Sequence, residues 1–170
     1  MKLVAMNFDP DYINTDGNWV HKTAIISPFV HMGKGNVIGA YAVIGGNGEM
    51  REKRPDAFRG KVIIGDNNTI SEMVTIQRPY EEKQITYIGS NNLIMAHSHI
   101  GHHAVVGSKC EIGTGTIVGG HTLISAYAKI KLGCTIRNRI KIGTNATVGM
   151  GSTVVKDVLP NQTVYGNPAK

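Results

Sequence analysis

An aliphatic side chain recurs at every sixth position through the second half of the chain. Steps of six from Ile88 reach only isoleucine or valine as far as Val154. A helix repeats every 3.6 residues and a half-buried strand every two, so neither explains this period. A coil of short strands joined by tight turns does explain it, because one branched side chain per strand then fills a narrow interior. The period therefore predicts an all-β solenoid.

The same register of large apolar residues extends upstream of Ile88, and a second register of small residues accompanies it. The earlier apolar members are Val20, Ile26, Met32, Ile38, Ile44, Ile64, Ile70 and Ile76. A small side chain stands four residues after most aliphatic positions, as at Ser98 and Ala104. Glycine often follows the aliphatic residue, and glycine or asparagine suits a tight corner because each accepts left-handed backbone angles.

Two stretches interrupt the repeat. Residues 47–61, "NGEMREKRPDAFRGK", and 77–87, "QRPYEEKQITY", are charged, contain proline and lack the regular aliphatic residue. Both are predicted to be loops that project from the coil. Loops on a rigid scaffold often carry function, and a tolerated insertion is the other interpretation of each.

Length and composition fit one domain. A chain of 170 residues is expected to form a single unit, with coils over about 20–157 and a C-terminal tail at 158–170. Abundant glycine with few aromatic and charged residues is typical of a glycine-punctuated β protein. No apolar run approaches the roughly 20 residues of a membrane span. The start "MKLVAMNFDPDY" lacks a signal-peptide core, so a cytoplasmic protein without a membrane span is expected.

Charge and cysteine usage narrow the possible partners. The formal net charge of +6 favours acidic partners, such as phosphorylated cofactors or an acidic carrier protein. The basic residues are scattered without interleaved aromatics, which argues against nucleic acid. Cys110 and Cys134 fall at small-residue positions of the repeat and are predicted to be buried thiols. Two cysteines form neither a disulfide framework nor a zinc-ligand set.

The repeat resembles that of the hexapeptide-repeat family over about residues 20–157. This resemblance implies a left-handed parallel β-helix in which three hexads make one triangular coil. Successive coils then stack at the inter-strand spacing of ~4.8 Å. On that frame His102 and His121, which are one coil plus one residue apart, are expected near the same edge on neighbouring coils.

The stretch "HSHIGHH" places His97, His99, His102 and His103 within seven positions, and three interpretations apply to it. These residues are solvated surface groups, metal ligands, or a general base with supporting residues. Glycine precedes both His102 and His121 and lets a ligand approach the backbone. A histidine titrates near neutrality and can take a proton from an attacking hydroxyl or amine. The N–H of Gly120 is a candidate donor to the oxyanion that acyl transfer creates.

The metal interpretation has a precedent in the hexapeptide-repeat carbonic anhydrases of the γ class. Those enzymes pair two histidines with four residues between them and a third about two coils upstream. His97 and His102 have that interval, but the upstream position is Lys61. No metal site is therefore predicted, and metal-dependent hydration remains the less favoured alternative.

The central section resembles one branch of the family, the acyl-carrier-protein–UDP-N-acetylglucosamine O-acyltransferases of lipid A synthesis. The matching stretches are "IGDNNTISEMVTIQR" at 64–78, "IGSNNLIMAHSHIGHHAVVG" at 88–107 and "IVGGH" at 117–121. The resemblance implies that His102 is the catalytic base and that Gly120 is the oxyanion donor. The substrate-binding residues that it implies are His99, His121, Lys53, Gln77 and Arg137. It also implies a homotrimer with active sites between subunits.

The chain departs from that branch at four points. His103 stands where the family usually has an acidic residue, so the group that orients His102 is unidentified. Arg137 replaces a supporting histidine, and the bulky Met150 occupies a position that gauges acyl length, which implies a shorter acyl chain. The tail resembles instead the end of acetyl-CoA-dependent hexapeptide acetyltransferases. Its predicted donor-binding residues are Gly166, Asn167, Pro168 and Ala169.

Together these features predict an acyltransferase with no tightly bound cofactor. The donor is an acyl-carrier-protein or coenzyme A thioester that serves as a co-substrate. The acceptor is a hydroxyl or amino group of a sugar or nucleotide sugar. An acetyl-CoA-dependent sugar O- or N-acetyltransferase is the principal alternative.

Overall fold

The computed structural model describes residues 10–49 and 54–170, and their regular structure is almost entirely β. The strands are β1 Tyr12–Thr15, β2 Asn18–His21, β3 Ile25–Ile26, β4 Val30–Met32, β5 Val37–Ile38, β6 Val43–Asn47, β7 Lys61–Ile64, β8 Thr69–Ile70, β9 Thr75–Arg78, β10 Ile85–Ile88, β11 Leu93–Ile94, β12 His99–Ile100, β13 Val105–Val106, β14 Glu111–Ile112, β15 Ile117–Val118, β16 Leu123–Ile124, β17 Lys129–Ile130, β18 Thr135–Ile136, β19 Lys141–Ile142, β20 Thr147–Val148, β21 Thr153–Val154 and β22 Thr163–Val164. A short 3₁₀ helix spans Pro55–Ala57. None of the helical structure in this described part of the chain has the length and apolar content that crossing a bilayer requires.

Every third strand joins the same sheet, so the chain winds around a triangular prism. The first sheet contains β1, β2, β5, β8, β11, β14, β17, β20 and β22, the second contains β3, β6, β9, β12, β15, β18 and β21, and the third contains β4, β7, β10, β13, β16 and β19. Among the described strands, only the β1–β2 hairpin is antiparallel. Ile94 pairs with Ile112, and Ile112 with Ile130, so one coil takes 18 residues. The predicted left-handed parallel β-helix is confirmed.

The aliphatic series fills the interior of the prism. Ile88, Ile94 and Ile100 are completely buried, and the small residues Ser98 and Ala104, four positions after Ile94 and Ile100, are buried as well. Burial of one such branched side chain contributes roughly 1.5–3 kcal/mol to stability. Cys110 and Cys134 are buried free thiols, as predicted.

Most corners of the prism contain a residue with left-handed backbone angles. These residues are Gly35, Tyr41, Asn67, Met73, Asn91, His97, His103, Lys109, Gly115, His121, Tyr127, Gly133, Arg139, Asn145, Gly151 and Asn161. The prediction of glycine and asparagine at corners is therefore only partly right. A left-handed residue with a Cβ costs roughly 1–2 kcal/mol, and the stacking of successive coils fixes this conformation at side chains of several kinds.

The three corners of each coil form three edges that run along the prism. We call the edge between the first and second sheets the first edge, that between the second and third sheets the second edge, and the remaining one the third edge. Both interruptions of the repeat leave the second edge, after β6 and after β9 on consecutive coils. The strands extend into the stretches assigned to loops from sequence, which leaves connections at 48–60 and 79–84.

These two connections are hydrogen-bonded to each other. The N–H groups of Arg59 and Gly60 donate to the carbonyls of Tyr80 and Pro79 at 2.9 and 3.1 Å. Phe58, the residue before Arg59, is 4% exposed. The two segments therefore lie together on the second edge, directly before the coil that contains His102.

A ladder of buried asparagines runs inside the third edge. The amide N–H groups of Asn36, Asn68 and Asn92 each donate to the side-chain oxygen of the asparagine one coil earlier, at 2.9 Å. The side-chain amides of Asn36 and Asn68 donate onward to glycine carbonyls. The ladder ends at Cys110, whose N–H donates to Asn92 at 2.7 Å.

Candidate active site

Three histidine rings meet at the second edge. His102 and His103 lie in the corner between β12 and β13, and His121 lies in the next corner of the same edge. The His102 and His121 ring centroids are 5.3 Å apart, which confirms the predicted proximity of these two residues. His103 and His121 are separated by one coil, and their rings stack at 4.2 Å with an interplanar angle of 11°.

His103 links His102 to a carboxylate. His102 Nδ1 lies 2.7 Å from His103 Nδ1, and His103 Nε2 lies 3.0 Å from Glu81 Oε2. The His103 side chain is 8% exposed, and its backbone N–H donates to Thr86 Oγ1 at 2.8 Å. Sequence reasoning assigned no role to His103 or Glu81. The one-coil spacing from His103 to His121 was a usable signal for the first, whereas loop residue Glu81 has no periodic signal.

The other face of His102 lies against Gly120. A Cβ on Gly120 would lie 3.1 Å from His102 Cε1 and 3.2 Å from Nε2, so glycine permits this close approach. Within residues 10–49 and 54–170 the Gly120 N–H has no intramolecular acceptor. The neighbouring His121 N–H already donates to the His102 carbonyl at 2.9 Å. Gly120 thus lies against the His102 ring and has a backbone N–H with no acceptor among the described residues.

A cleft of about 220 Å³ opens over these groups. Its lining consists of Glu49, Gln77, His99, Gly101, His102, Ile117, Gly119, Gly120 and Asn138. A second hollow of about 200 Å³ shares Glu49, Gln77 and His99, so the two form one groove on the second sheet. Of the residues singled out from sequence, the groove brings together His99, His102, Gln77 and Gly120. Asn138 was missed, although it lies one coil beyond Gly120 in the repeat.

His99 is held at the base of this groove. Its Nδ1 lies 2.8 Å from the Thr75 hydroxyl, and Thr75 is its neighbour in the paired strand β9. Its side chain is half-buried, and burial lowers the pKa of His99, partly opposed by the nearby Glu49 carboxylate. His99 is therefore a neutral, oriented hydrogen-bonding group at pH 7.

The electrostatics of the cluster keep His102 unprotonated at neutral pH. Burial lowers the pKa of His102, and the neighbouring His103 and His121 rings lower it further, whereas Glu81 opposes the shift. Burial also lowers the pKa of His121, with added contributions from His103 and Arg139. Burial disfavours ionisation of Glu81, but hydrogen bonds from Tyr80 and His103 outweigh it and lower the pKa of Glu81. The site thus contains a neutral imidazole and an ionised carboxylate.

The other predicted site residues that the structure describes lie outside the cleft. Arg137 is exposed beyond β18 and donates its N–H to Val154. Met150, 71% exposed, lies at the first edge. Lys53 falls outside the described residues. The predicted donor-binding tail, Gly166–Ala169, lies along β21, since Thr153 N–H donates to Gly166 and Ala169 N–H donates to Thr153.

The tail nevertheless shares a sheet with His99. Strands β12, β15, β18 and β21 are successive neighbours in the second sheet. Three inter-strand spacings separate β12 from β21, and the tail lies one spacing further, so at ~4.8 Å each it is ~19 Å along the sheet from β12. A hollow of about 230 Å³ is found there, with Lys156, Pro168, Ala169 and Lys170 in its lining.

The geometry of the histidine cluster suits proton transfer better than metal binding. Ring nitrogens of His102, His103 and His121 lie within 4.8 Å of one another, which is close enough to consider a metal. An imidazole binds a metal in the plane of its ring, however, and one ion cannot lie in both stacked planes of His103 and His121. His97, which has the carbonic anhydrase interval of four residues to His102, is exposed at the first edge. Strand β12 separates His97 from His102.

Comparisons with known proteins point to one class of enzyme. Residues 85–120 match the family model described as bacterial transferase hexapeptide (six repeats). An acyl-[acyl-carrier-protein]–UDP-N-acetylglucosamine O-acyltransferase from Ectopseudomonas mendocina is 36% identical over 124 residues, which are 70% of this chain and 48% of the relative. The enzyme of the same name from Gloeothece citriformis is 37% identical over 149 residues, covering 86% of this chain and 52% of the relative.

Solved structures give the same result. A UDP-N-acetylglucosamine acyltransferase from Bacteroides fragilis superimposes with a TM-score of 0.86 at 30% identity, covering 91% of this chain and 60% of that one. The chain spans about half the length of the curated relatives that it matches. Its six-residue repeat and its three parallel sheets form a left-handed β-helix, and these matches show that the chain is similar to the UDP-N-acetylglucosamine acyltransferases.

Proposed function

We propose that this protein is an acyltransferase that moves an acyl group from a thioester to a hydroxyl or amino group of a nucleotide sugar. The observation that carries this proposal is the position of His102, whose ring nitrogen Nε2 lies beside the backbone of Gly120 in an open cleft. A neutral imidazole next to a backbone N–H supplies the two functions that acyl transfer requires, a base and an oxyanion donor.

Two proton transfers, both at His102 Nε2, balance the reaction. His102 Nε2 takes the proton from the acceptor hydroxyl or amine as the acceptor attacks the thioester carbonyl. The carbonyl oxygen becomes an oxyanion, which accepts a hydrogen bond from the Gly120 N–H. When the C–S bond breaks, the departing thiolate takes the proton back from His102 Nε2, so the base is regenerated.

The acceptor and the donor are assigned by chemistry and by similarity. The relatives that match the chain are named for an acyl-carrier-protein donor and UDP-N-acetylglucosamine, and we extend both to this chain as its candidate substrates. His99, Gln77 and His121 would position the acceptor sugar, and Arg137 with Lys53 would meet the phosphates of a substrate. We further propose a cytoplasmic homotrimer in which a second subunit closes the open side of the groove, against the half-exposed Ile117.

Acetyl transfer from coenzyme A is the second candidate. The observation that favours it is the tail Gly166–Ala169, which is hydrogen-bonded to β21 in the same sheet as His99 and adjoins the hollow lined by Lys156 and Lys170. Two lysines suit the phosphates of a nucleotide. In this version the thioester arm would lie along the second sheet from the tail to His102, and Met150 would limit acyl length from an adjoining subunit.

The test is an acyl-transfer assay with both donor classes. The purified protein is incubated with UDP-N-acetylglucosamine and either acetyl-CoA or a series of acyl-carrier-protein thioesters, and products are identified by mass spectrometry. We expect the H102N substitution to lower kcat/KM by roughly 10²–10⁴-fold, because proton transfer by a positioned base contributes that much. The matched variant H97N alters an exposed histidine at the first edge and should leave the rate unchanged.

Each outcome decides a separate part of the proposal. Product from the carrier-protein thioester alone supports the first candidate, and product from acetyl-CoA alone supports the second. Absence of product with both donors, or full activity of the H102N variant, would contradict the proposed function. A light-scattering mass below three chains would contradict the trimer.

A further inference from the structure

The residue after His102 is a histidine that is bonded through both ring nitrogens. His103 Nδ1 faces His102 Nδ1 at 2.7 Å, and His103 Nε2 faces the Glu81 carboxylate at 3.0 Å. The ring also stacks on His121 and meets the edge of Tyr80 at a centroid distance of 6.3 Å. Stacking, hydrogen bonds and burial together leave this ring one orientation.

The contacts of His103 specify the tautomer of His102. A single proton lies between the two Nδ1 atoms. If His102 carries it, His102 Nε2 is free to act as a base, His103 Nδ1 accepts, and His103 Nε2–H donates to Glu81. If His103 carries it, the proton of neutral His102 is on Nε2, and the lone pair of His103 Nε2 faces a carboxylate that can only accept. An ionised Glu81 therefore favours the first arrangement.

His103 also reproduces the geometry of an acidic residue at this position. In both histidine and aspartate the first hydrogen-bonding atom, Nδ1 or Oδ1, is attached to Cγ. His103 Nδ1 thus lies where a carboxylate oxygen would otherwise accept the proton of His102. What the imidazole lacks is negative charge, and the connection 79–84 supplies that charge through Glu81 on the far side of the ring.

We propose that His103 and Glu81 are positioning residues that together replace the single carboxylate expected beside a catalytic histidine. This inference rests on the proposed function, in which His102 is the base. When His102 takes up a proton, its Nδ1–H bond to His103 passes part of the positive charge toward Glu81. The His103 and His121 rings and Arg139 all disfavour that charge electrostatically. Within the described residues Glu81 is the group that counters them.

Four single variants separate this role from a structural one. The E81Q substitution should lower kcat/KM roughly 10- to 100-fold, the usual cost of losing a group that orients a functional histidine. H103N should lower it by about 10²-fold or more, because the amide can donate to His102 Nδ1 and favour the wrong tautomer. H103D should retain activity within about tenfold of the parent. The control E82Q changes an exposed glutamate of the same connection and should have no effect.

The H103D variant is the sharpest of these tests. Asparagine and aspartate both accept the left-handed φ of 61° at this corner, so the two variants at position 103 differ chiefly in charge. In the H103D background a further E81Q substitution should cost little, since the carboxylate now lies directly beside His102. Equal losses from E81Q in both backgrounds would overturn the proposal, because they would show that Glu81 acts without His103.

A measurement that needs no turnover completes the test. ¹⁵N shifts of the His102 ring should show the Nδ1–H tautomer at pH 8 in the parent and a shift toward Nε2–H in E81Q and H103N. Loss of Glu81 removes the charge that favours imidazolium, so the pKa of His102 and the acidic limb of kcat/KM should move to lower pH. An Nε2–H tautomer in the parent would overturn the proposal. The expected tautomer in a protein that transfers no acyl group would instead reject the proposed function alone.

Discussion

Two corner residues, His103 on the second edge and Lys109 on the third, have the same backbone conformation, with φ of 61° and 60°. Lys109 extends over the ring of Tyr127 at 5.3 Å and is exposed, whereas the His103 side chain is only 8% exposed and is bonded at both ring nitrogens. The difference arises from the connection 79–84, which covers one corner and supplies Glu81. A corner that presents a surface side chain becomes part of a site when a loop closes over it.

The polar groups inside the two edges also differ. At the third edge, the asparagine ladder connects one coil to the next through bonds of 2.9 Å, and those side chains face no cleft. At the second edge, the His103 and His121 rings form a stacked column instead, and the His102 ring beside them lines the cleft. The comparison separates a stabilising polar column from one that adjoins a cleft open to a substrate.

The largest expected effect on activity comes from a substitution at the residue that directly precedes the left-handed corner residue. Gly120 occupies this position on the second edge, and Ala126 occupies the equivalent position on the third. Since the fold accepts a Cβ at Ala126, G120A should fold, but its methyl group would lie 3.1–3.2 Å from the His102 ring. Displacement of the base by a fraction of an ångström or more should lower kcat/KM by about 10²-fold. Kinetics and thermal unfolding of the same sample measure both parts.

The control for this comparison is A126G. It alters the equivalent position on the third edge and should leave kcat/KM unchanged. An active G120A enzyme would show that the close approach of the glycine to His102 has no catalytic value. Loss of folding in G120A would show that the two edges are not equivalent even in backbone packing.

A smaller effect, on stability alone, is expected from the ladder. The N68A substitution removes the side-chain bonds to Asn36 and Gly89 and leaves the buried N–H of Asn92 without its acceptor. One buried unsatisfied group costs about 1–3 kcal/mol, so the free energy of unfolding in denaturant should fall by about that amount. kcat at a temperature where the variant is folded should not change. A reduced kcat in fully folded N68A would mean that the third edge influences the site.

The sequence, with its family resemblance, predicted the coil and four residues of the groove, which are His99, His102, Gln77 and Gly120. A branched residue every six positions predicted the short strands. The resemblance to the hexapeptide-repeat family implied a coil of 18 residues, and that coil length placed His102 near His121. The position of Glu81 depends on how a non-repeating segment folds back onto the coil, which no period describes. His103 was noted as a departure from the expected acid, yet its role became visible only when Glu81 was found bonded to it.

The smallest effect tests long-range charge on the second edge. Arg139 follows His103 and His121 in the same column, one coil further on, and its positive charge lowers the pKa of both His102 and His121. R139N removes that charge at a corner where asparagine is accepted elsewhere, as at Asn145. The pKa of His102 should therefore rise, and the acidic limb of kcat/KM should move to slightly higher pH, with no change in kcat at pH 8.

The matched substitution K109N removes one positive charge from the third edge and should leave the pH profile where it was. Because Arg139 is exposed, the difference between R139N and the parent should shrink as salt is raised and the Debye length falls to roughly 3 Å at 1 M. Similar shifts in R139N and K109N would mean that the net charge of the protein, rather than a column of groups on one edge, sets the protonation of His102. A shift confined to R139N would show that charges on the second edge set the protonation of His102.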